Sequence, residues 1–235
     1  MFFLPTFNLN YLLFMMPALV FSLVIQIYVN ASYSRWSKIH NRTGITGAQV
    51  AQRLAEHMGM YDLKLQGIPG QLTDNYDPRH KVLSMSRDVA QGTSVAAMAI
   101  TAHEMGHAQQ DQHNYGLMKL RSAMVPMVNF GTTIGWLFIF IGLALKLSNL
   151  AWLGVFAFSA GALFSIATLP VELNASRRAR VLLKENGLIT GQEEQKGVNQ
   201  VLNAAAMTYV AAIASSVLQL LYFGSTISGM GRRRD

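Results

Sequence analysis

Residues 124–169 read MVPMVNFGTTIGWLFIFIGLAL, then KLSN, then LAWLGVFAFSAGALFSIATL. Neither long run holds a charged residue, and each is about the 20 residues that a helix needs to cross the hydrocarbon core of a bilayer. Only Lys146, Leu147, Ser148 and Asn149 separate them. In lipid, every backbone polar group must be satisfied within its own segment or a closed barrel, so two such runs predict a transmembrane helical hairpin over 124–145 and 150–169. Gly131 and Gly135 form a small-xxx-small pair, a pattern that suits close helix packing.

Two further apolar segments flank this hairpin. The first runs from Tyr11 to Val29, carries no charge, and contains Pro17, which a membrane helix tolerates. No Lys or Arg precedes it, and its apolar run is too long for a cleaved signal peptide. The other runs from Val201 to Phe223 and is diluted by Asn203, Ser215, Ser216 and Gln219. Its small residues suit contact with other helices better than contact with lipid. The expected architecture is a mainly α integral-membrane protein with about four transmembrane helices. It is read as one membrane-embedded domain over 1–235, with polar regions at 31–121 and 170–200. Composition agrees: 51% of the residues are hydrophobic and 13% charged, against about a quarter charged in soluble domains.

The net charge of +7 is a matter of topology, and no nucleic-acid partner is expected. Arg35, Lys38, Arg42, Arg53, Lys64, Arg79, Lys81, Arg87, Lys119 and Arg121 lie between the first and second apolar segments. Arg177, Arg178, Arg180, Lys184 and Lys196 lie between the third and fourth. With four crossings these two regions share a side, and the positive-inside rule makes it the cytoplasm. The uncharged residues before Tyr11 agree with an external N-terminus. Arg232, Arg233 and Arg234 run against the pattern, because a fourth crossing leaves them outside. Either a short basic tail is tolerated there or the fourth segment re-enters, and four spans is the favoured reading.

The polar region 31–121 carries its own punctuation. Thr46 and Gln49 have capping-box spacing, and Val50, Leu54 and Met58 continue a helical pattern that Gly59 can stop. Gly67, Pro69, Gly70, Asn75, Asp77 and Pro78 read as a loop-rich stretch. Residues 81–86 alternate like a short strand, which would suit pairing with an extended peptide. Thr93 or Ser94 can cap the next helix, which runs through Ala96–Ile100 to His107 and beyond.

That helix contains His103-Glu104-Met105-Gly106-His107, an H-E-x-x-H match. Positions four apart differ by only about 40° around a helix, so both imidazoles can face one ion. There is no cysteine, so a transition-metal site must be built from His, Asp and Glu. Zinc in such a site lowers the pKa of its water and polarises a scissile carbonyl. Glu104, about 100° round from His103, is placed to take the water's proton and pass it to the leaving amine. A third protein ligand is needed. His113 fits a longer metzincin spacing, but Gln110 occupies the position where that pattern turns the chain on glycine. On a continuing helix His113 would lie about 9 Å along the axis from His107. Glu172 is better placed, because the hairpin returns the chain to the face it left, and a carboxylate at a membrane boundary is costly unless paired or metal-bound. The alternative for Glu172 is an ion pair with Arg177 or Arg178.

The H-E-x-G-H helix, the stretch Leu72-Thr73-Asp74-Asn75-Tyr76-Asp77-Pro78, and Pro170-Val171-Glu172 with its Ala-Ser-Arg-Arg-Ala continuation together resemble the YugP-type membrane zinc metallopeptidases. The resemblance covers nearly the whole chain. It implies a zincin-like helical site with His103, His107 and Glu172 as zinc ligands and Glu104 as base. The Glu172 segment is also similar to that of the HtpX-like membrane peptidases. Asn174 stands where the YugP-type pattern has an acidic residue, and Ser176 where the HtpX-like pattern has aspartate. The expected function is zinc-dependent endopeptidase action on peptide or membrane-protein substrates, in the lipid bilayer of a bacterial cell membrane with the site facing the cytoplasm. Two alternatives stay open: an inactive zinc-binding scaffold or partner-binding protein, and a zinc hydrolase of non-peptide amides or lipids. Tyr76, His80, His113 and Arg178 are the candidates for stabilising an oxyanion.

Overall fold

The computed structural model describes residues 9–231; the uncharged residues 1–8 and the basic run Arg232–Arg234 lie outside the described residues. In chain order the elements are α1 (Leu9–Trp36), α2 (Gly47–Met58), β1 (Lys64–Ile68), β2 (Asn75–Asp77), β3 (Val82–Ser86), α3 (Arg87–Ala90), α4 (Val95–Gln112), α5 (Gly116–Ala144), α6 (Ser148–Glu185) and α7 (Gln192–Gly231). The fold is mainly α, with one small sheet. Among the described residues four helices, α1, α5, α6 and α7, are long and apolar enough to cross a membrane. Each extends past its apolar run at one end or both. The chain divides into two compact units, and each of the four long helices contributes to both.

The apolar unit comprises residues 9–25, 120–169 and 208–231 of the described chain. The expected hairpin is present as the end of α5 and the start of α6. Its helices meet through glycine. A Cβ on Gly135 would stand 2.7 Å from the Phe158 nitrogen and 2.9 Å from the Gly154 oxygen, and one on Gly142 would stand 2.5 Å from the Ala151 nitrogen. Lys146 turns the corner with φ 57°. Ile139, Phe158, Phe223 and Ile227 are buried at the centre of this unit, and Trp136 meets Phe158 and Phe223 edge-on. Large apolar side chains such as Phe130, Phe156 and Leu163 point outward, as a lipid-facing surface requires. The polar residues of α7 turn toward other helices: Ser215 lies 3.3 Å from Ser22, and Gln219 donates to the Tyr11 hydroxyl at 3.2 Å.

The polar unit comprises residues 26–119 and 170–207. It takes the first seven residues of the expected fourth span, 201–207, where Asn203 accepts a hydrogen bond from Arg180. Its core contains Trp36, Leu54, Leu83, Met98, Met105, Leu182, Leu183 and Leu202. Trp36 is enclosed, with its indole N–H donating to Gln200 at 3.0 Å. The capping box of Thr46 and Gln49 opens α2, and Gly59 closes it in the left-handed conformation at φ 69°. Ser94 caps α4 by accepting from the Ala97 N–H. The sheet order is β1-β3-β2, with β1 parallel and β2 antiparallel to β3.

The sheet corrects two expectations. The stretch read as loop, from Gly67 to Pro78, contains the end of β1 and all of β2. β1 is exposed along almost its whole length and so lacks the alternation that marks a half-buried strand. β2 has three residues between turn formers. In addition, β3 is central: β1 pairs along all of it and β2 along Val82, Leu83 and Ser84, so most of the strand is already taken and an extended peptide would find free strand edges chiefly on β1 and β2.

Candidate metal centre

The site residues all lie in the polar unit. On α4, Ala96, Ala97, Ala99 and Ala102 are buried, and small side chains let the helix sit deep among its neighbours. The glycine of the H-E-M-G-H run has a specific task. A Cβ on Gly106 would come within 2.4 Å of the Ala175 oxygen. The backbones of α4 and α6 therefore approach to a distance that only glycine permits. Glu172 lies one turn before Ala175 on α6, and this approach carries its carboxylate against the histidines of α4.

His103 Nε2 lies 3.1 Å, and His107 Nε2 3.5 Å, from Glu172 Oε2. The imidazole rings are 4.9 Å apart and nearly perpendicular, at 86°. Among the described residues, His103, His107 and Glu172 form a cluster able to hold a metal ion, each offering one atom within 4.8 Å of the others. A tetrahedral zinc with bonds of about 2.0–2.1 Å spaces its donors about 3.3 Å apart. The 3.1 and 3.5 Å separations bracket that value, and a His₂Glu donor set without thiolate suits zinc. All three side chains are mostly buried.

The other ring nitrogens are engaged elsewhere. His103 Nδ1 lies 3.2 Å from the Ser176 hydroxyl, and His107 Nδ1 lies 2.9 Å from Gln110 Oε1. Such partners hold an imidazole in place and leave Nε2 to the metal. Gln110 Nε2 in turn donates to Val171 O at 2.8 Å and to Asn174 Oδ1 at 3.0 Å. Asn174 Oδ1 also accepts from Arg178 Nε at 2.8 Å. Asn174 and Ser176, the two departures from the related patterns, thus both serve this network as they stand.

Glu104 is buried beside the cluster. Burial pushes its carboxyl above the usual carboxylate range, against the pull of His107 and His103. His107 is held above the ordinary histidine value: burial draws it down, but hydrogen bonding to Glu172 and the charge of Glu104 outweigh that. A metal ion would have to displace that proton, so binding and protonation compete here.

The remaining sequence candidates are occupied differently. His113 is the C-terminal cap residue of α4, outside the cluster, and receives a hydrogen bond from Arg178 Nη1 at 3.2 Å. Arg178 also donates to Gln109, so its guanidinium serves α4 and Asn174. The Tyr76 hydroxyl donates to Asp111 at 2.9 Å, and burial together with that carboxylate drives its pKa up. His80 pairs with Asp77 at 2.7 Å on the surface. The residue that sequence reading missed is Gln110, taken there only as an absent glycine. Its position three residues after His107, on the same helix face, was the available signal.

The family described as "putative neutral zinc metallopeptidase" matches residues 11–227 of this chain. The "putative membrane protease YugP" of Bacillus subtilis (strain 168) is 42% identical over 206 residues, covering 88% of this chain and 91% of that protein. The resemblance drawn from the motifs is therefore upheld. No solved structure matches.

Proposed function

The chain belongs to this family of zinc metallopeptidases, and on that premise we propose that it is a membrane endopeptidase hydrolysing peptide bonds at the cytoplasmic face. His103, His107 and Glu172 would hold zinc, and Glu104 would act as general base. Zinc, when bound, lowers the pKa of a water and polarises the substrate carbonyl. Glu104 accepts the proton of the attacking water on its carboxylate and delivers it to the departing amine. Burial raises this carboxyl's affinity for a proton, which suits a group that must take one up and hand it on. His103 and His107 are held in place through their Nδ1 partners, Ser176 and Gln110. The observation that carries the reading is the convergence of two Nε2 atoms and one carboxylate oxygen, at 3.1 and 3.5 Å, beside a buried glutamate that a purely structural site would not need.

Glu104→Gln tests it. The amide keeps the shape of the side chain but cannot accept the proton. We expect the detergent-purified variant to retain zinc while cleavage of an unstructured polypeptide falls by about 10²-fold or more. Equal cleavage by wild type and the zinc-loaded variant would overturn the mechanism and favour the zinc-binding scaffold.

The orientation rests on the positive-inside argument. The chain has no cysteine, so a single Tyr61→Cys substitution, at a side chain 86% exposed, reports the side of the polar unit. We expect a membrane-impermeant thiol reagent to label it in opened cells alone. Labelling in intact cells would reverse the orientation.

A further inference from the structure

We propose that Gln110 is a positioning residue: its amide, locked by α6, fixes the ring orientation and the tautomer of His107. The inference rests on the zinc-site reading for what His107 holds, but the lock itself follows from the hydrogen bonds alone.

Gln110 is fully buried, so each of its polar atoms needs a protein partner. Val171 O, 2.8 Å from Nε2, can only accept, which forces the NH₂ end of the amide toward α6. Asn174 Oδ1 accepts from the same nitrogen and from Arg178 Nε. Arginine can only donate, so the orientation of Asn174 is forced as well. The atom left to face His107 Nδ1, at 2.9 Å, is therefore Gln110 Oε1. An amide oxygen carries no proton, so Nδ1 must supply it. The neutral ring has one N–H for two acceptors, and the 2.9 Å contact to Gln110 is much shorter than the 3.5 Å contact from Nε2 to Glu172, so the proton stays on Nδ1 and the lone pair lies on Nε2. Flipping the amide would set N–H against N–H at His107 and oxygen against oxygen at Val171, in a buried site where an unmade hydrogen bond costs about 1–3 kcal/mol.

His103 lacks an equivalent lock. Its Nδ1 partner is the Ser176 hydroxyl, which rotates and can donate or accept. The two histidines thus differ: one has its tautomer imposed by the relay Arg178–Asn174–Gln110, and the other is held by a group indifferent to tautomer.

The test compares wild type with Gln110→Leu, Asn174→Leu and Asn174→Asp. The first readout is the tautomer of His107 in the metal-free, detergent-purified protein, taken from long-range ¹H–¹⁵N correlations at a pH where the ring is neutral. The second is zinc affinity by chelator competition. We expect wild-type His107 to carry its proton on Nδ1. Gln110→Leu should lose that preference and bind zinc about 10- to 100-fold more weakly, the usual effect of removing such a partner. Should Gln110→Leu fail to fold, Asn174→Leu decides, because it keeps Gln110 but releases one of the two bonds that hold its amide. Its tautomer preference and zinc affinity should weaken. Asn174→Asp should retain both, because it still accepts from Gln110 and Arg178. An unchanged tautomer and zinc affinity in Gln110→Leu, or in Asn174→Leu where that variant stands in, would overturn the proposal. Lower thermal stability with both readouts unmoved would likewise reduce Gln110 to a packing role. Wild type that takes up no zinc would defeat the site reading, while the tautomer comparison would still decide the lock.

Discussion

Gly135 in the apolar unit and Gly106 in the polar unit are built into the same kind of contact. A Cβ on Gly135 would meet the backbone of α6 at 2.7 Å, and one on Gly106 would meet it at 2.4 Å, at Phe158 and Ala175 respectively. The surroundings differ. Around Gly135 the outward side chains are apolar. Between helices in lipid there is no hydrophobic driving force, so close backbone packing is itself the attraction. In the polar unit, to which Gly106 belongs, a buried apolar core that includes Met98, Met105 and Leu183 already supplies a hydrophobic drive. There the glycine sets a distance, the one at which Glu172 reaches His103 and His107. One sequence device therefore does two jobs, and the solvent around each unit decides which.

The largest effect should come from removing what the Gly106 contact delivers. Glu172→Ala deletes one of three proposed ligands. We expect loss of most of the zinc and of the activity, beyond the roughly 10- to 100-fold seen when an outer partner is removed. His113→Ala, a change at the C-terminal cap of α4 and outside the cluster, should leave zinc largely bound. Zinc measured per chain decides it. Loss of metal from the His113 variant with retention in the Glu172 variant would transfer the third ligand and break the comparison at its functional end.

The next effect is smaller and sharpens the comparison directly. In Gly106→Ala the new methyl faces a backbone carbonyl, which cannot swing aside as a side-chain tip can. The helices must separate by part of an ångström or more, and overpacking of this kind costs about 1–3 kcal/mol. Because the separation also withdraws Glu172, zinc affinity should fall together with thermal stability. A variant that loses stability but keeps wild-type zinc affinity would show that Glu172 reaches the histidines without help from this contact.

The elements whose cause is local were legible in the sequence. The capping box at Thr46, the left-handed stop at Gly59, the cap at Ser94 and the apolar runs each depend on neighbours a few residues apart. The H-E-x-x-H helix was legible for the same reason, and Glu172 was reached through one topological step, the return of the hairpin. What stayed hidden depends on packing between distant segments. β1 is too exposed to alternate, and it becomes a strand only because β3 is there to pair with it. Gly106 stood in the H-E-x-G-H pattern without a visible physical reason, because its reason lies on Ala175. Gln110 looked like a missing glycine, because its partners Val171 and Asn174 arrive from more than 60 residues away.

Gly135→Ala should have the smallest effect at the site, and it tests the other half of the comparison. The added methyl would crowd the Phe158 nitrogen and the Gly154 oxygen, so the α5–α6 hairpin must open. Opening loses close contacts between helices that have little else to hold them together in lipid. We expect a lower midpoint of thermal unfolding in detergent, on the same scale of about 1–3 kcal/mol as for other overpacked positions. His103, His107, Glu172, Gln110 and Asn174 all belong to the other unit, so their mutual distances do not depend on this contact. Zinc affinity, and the ratio of cleavage to bound zinc, should therefore match wild type. Measuring unfolding and chelator competition on Gly135→Ala and Gly106→Ala side by side separates the two roles. If zinc affinity drops in both by the same factor, the hairpin also sets the geometry of the metal centre, and the division of labour between the two glycines fails.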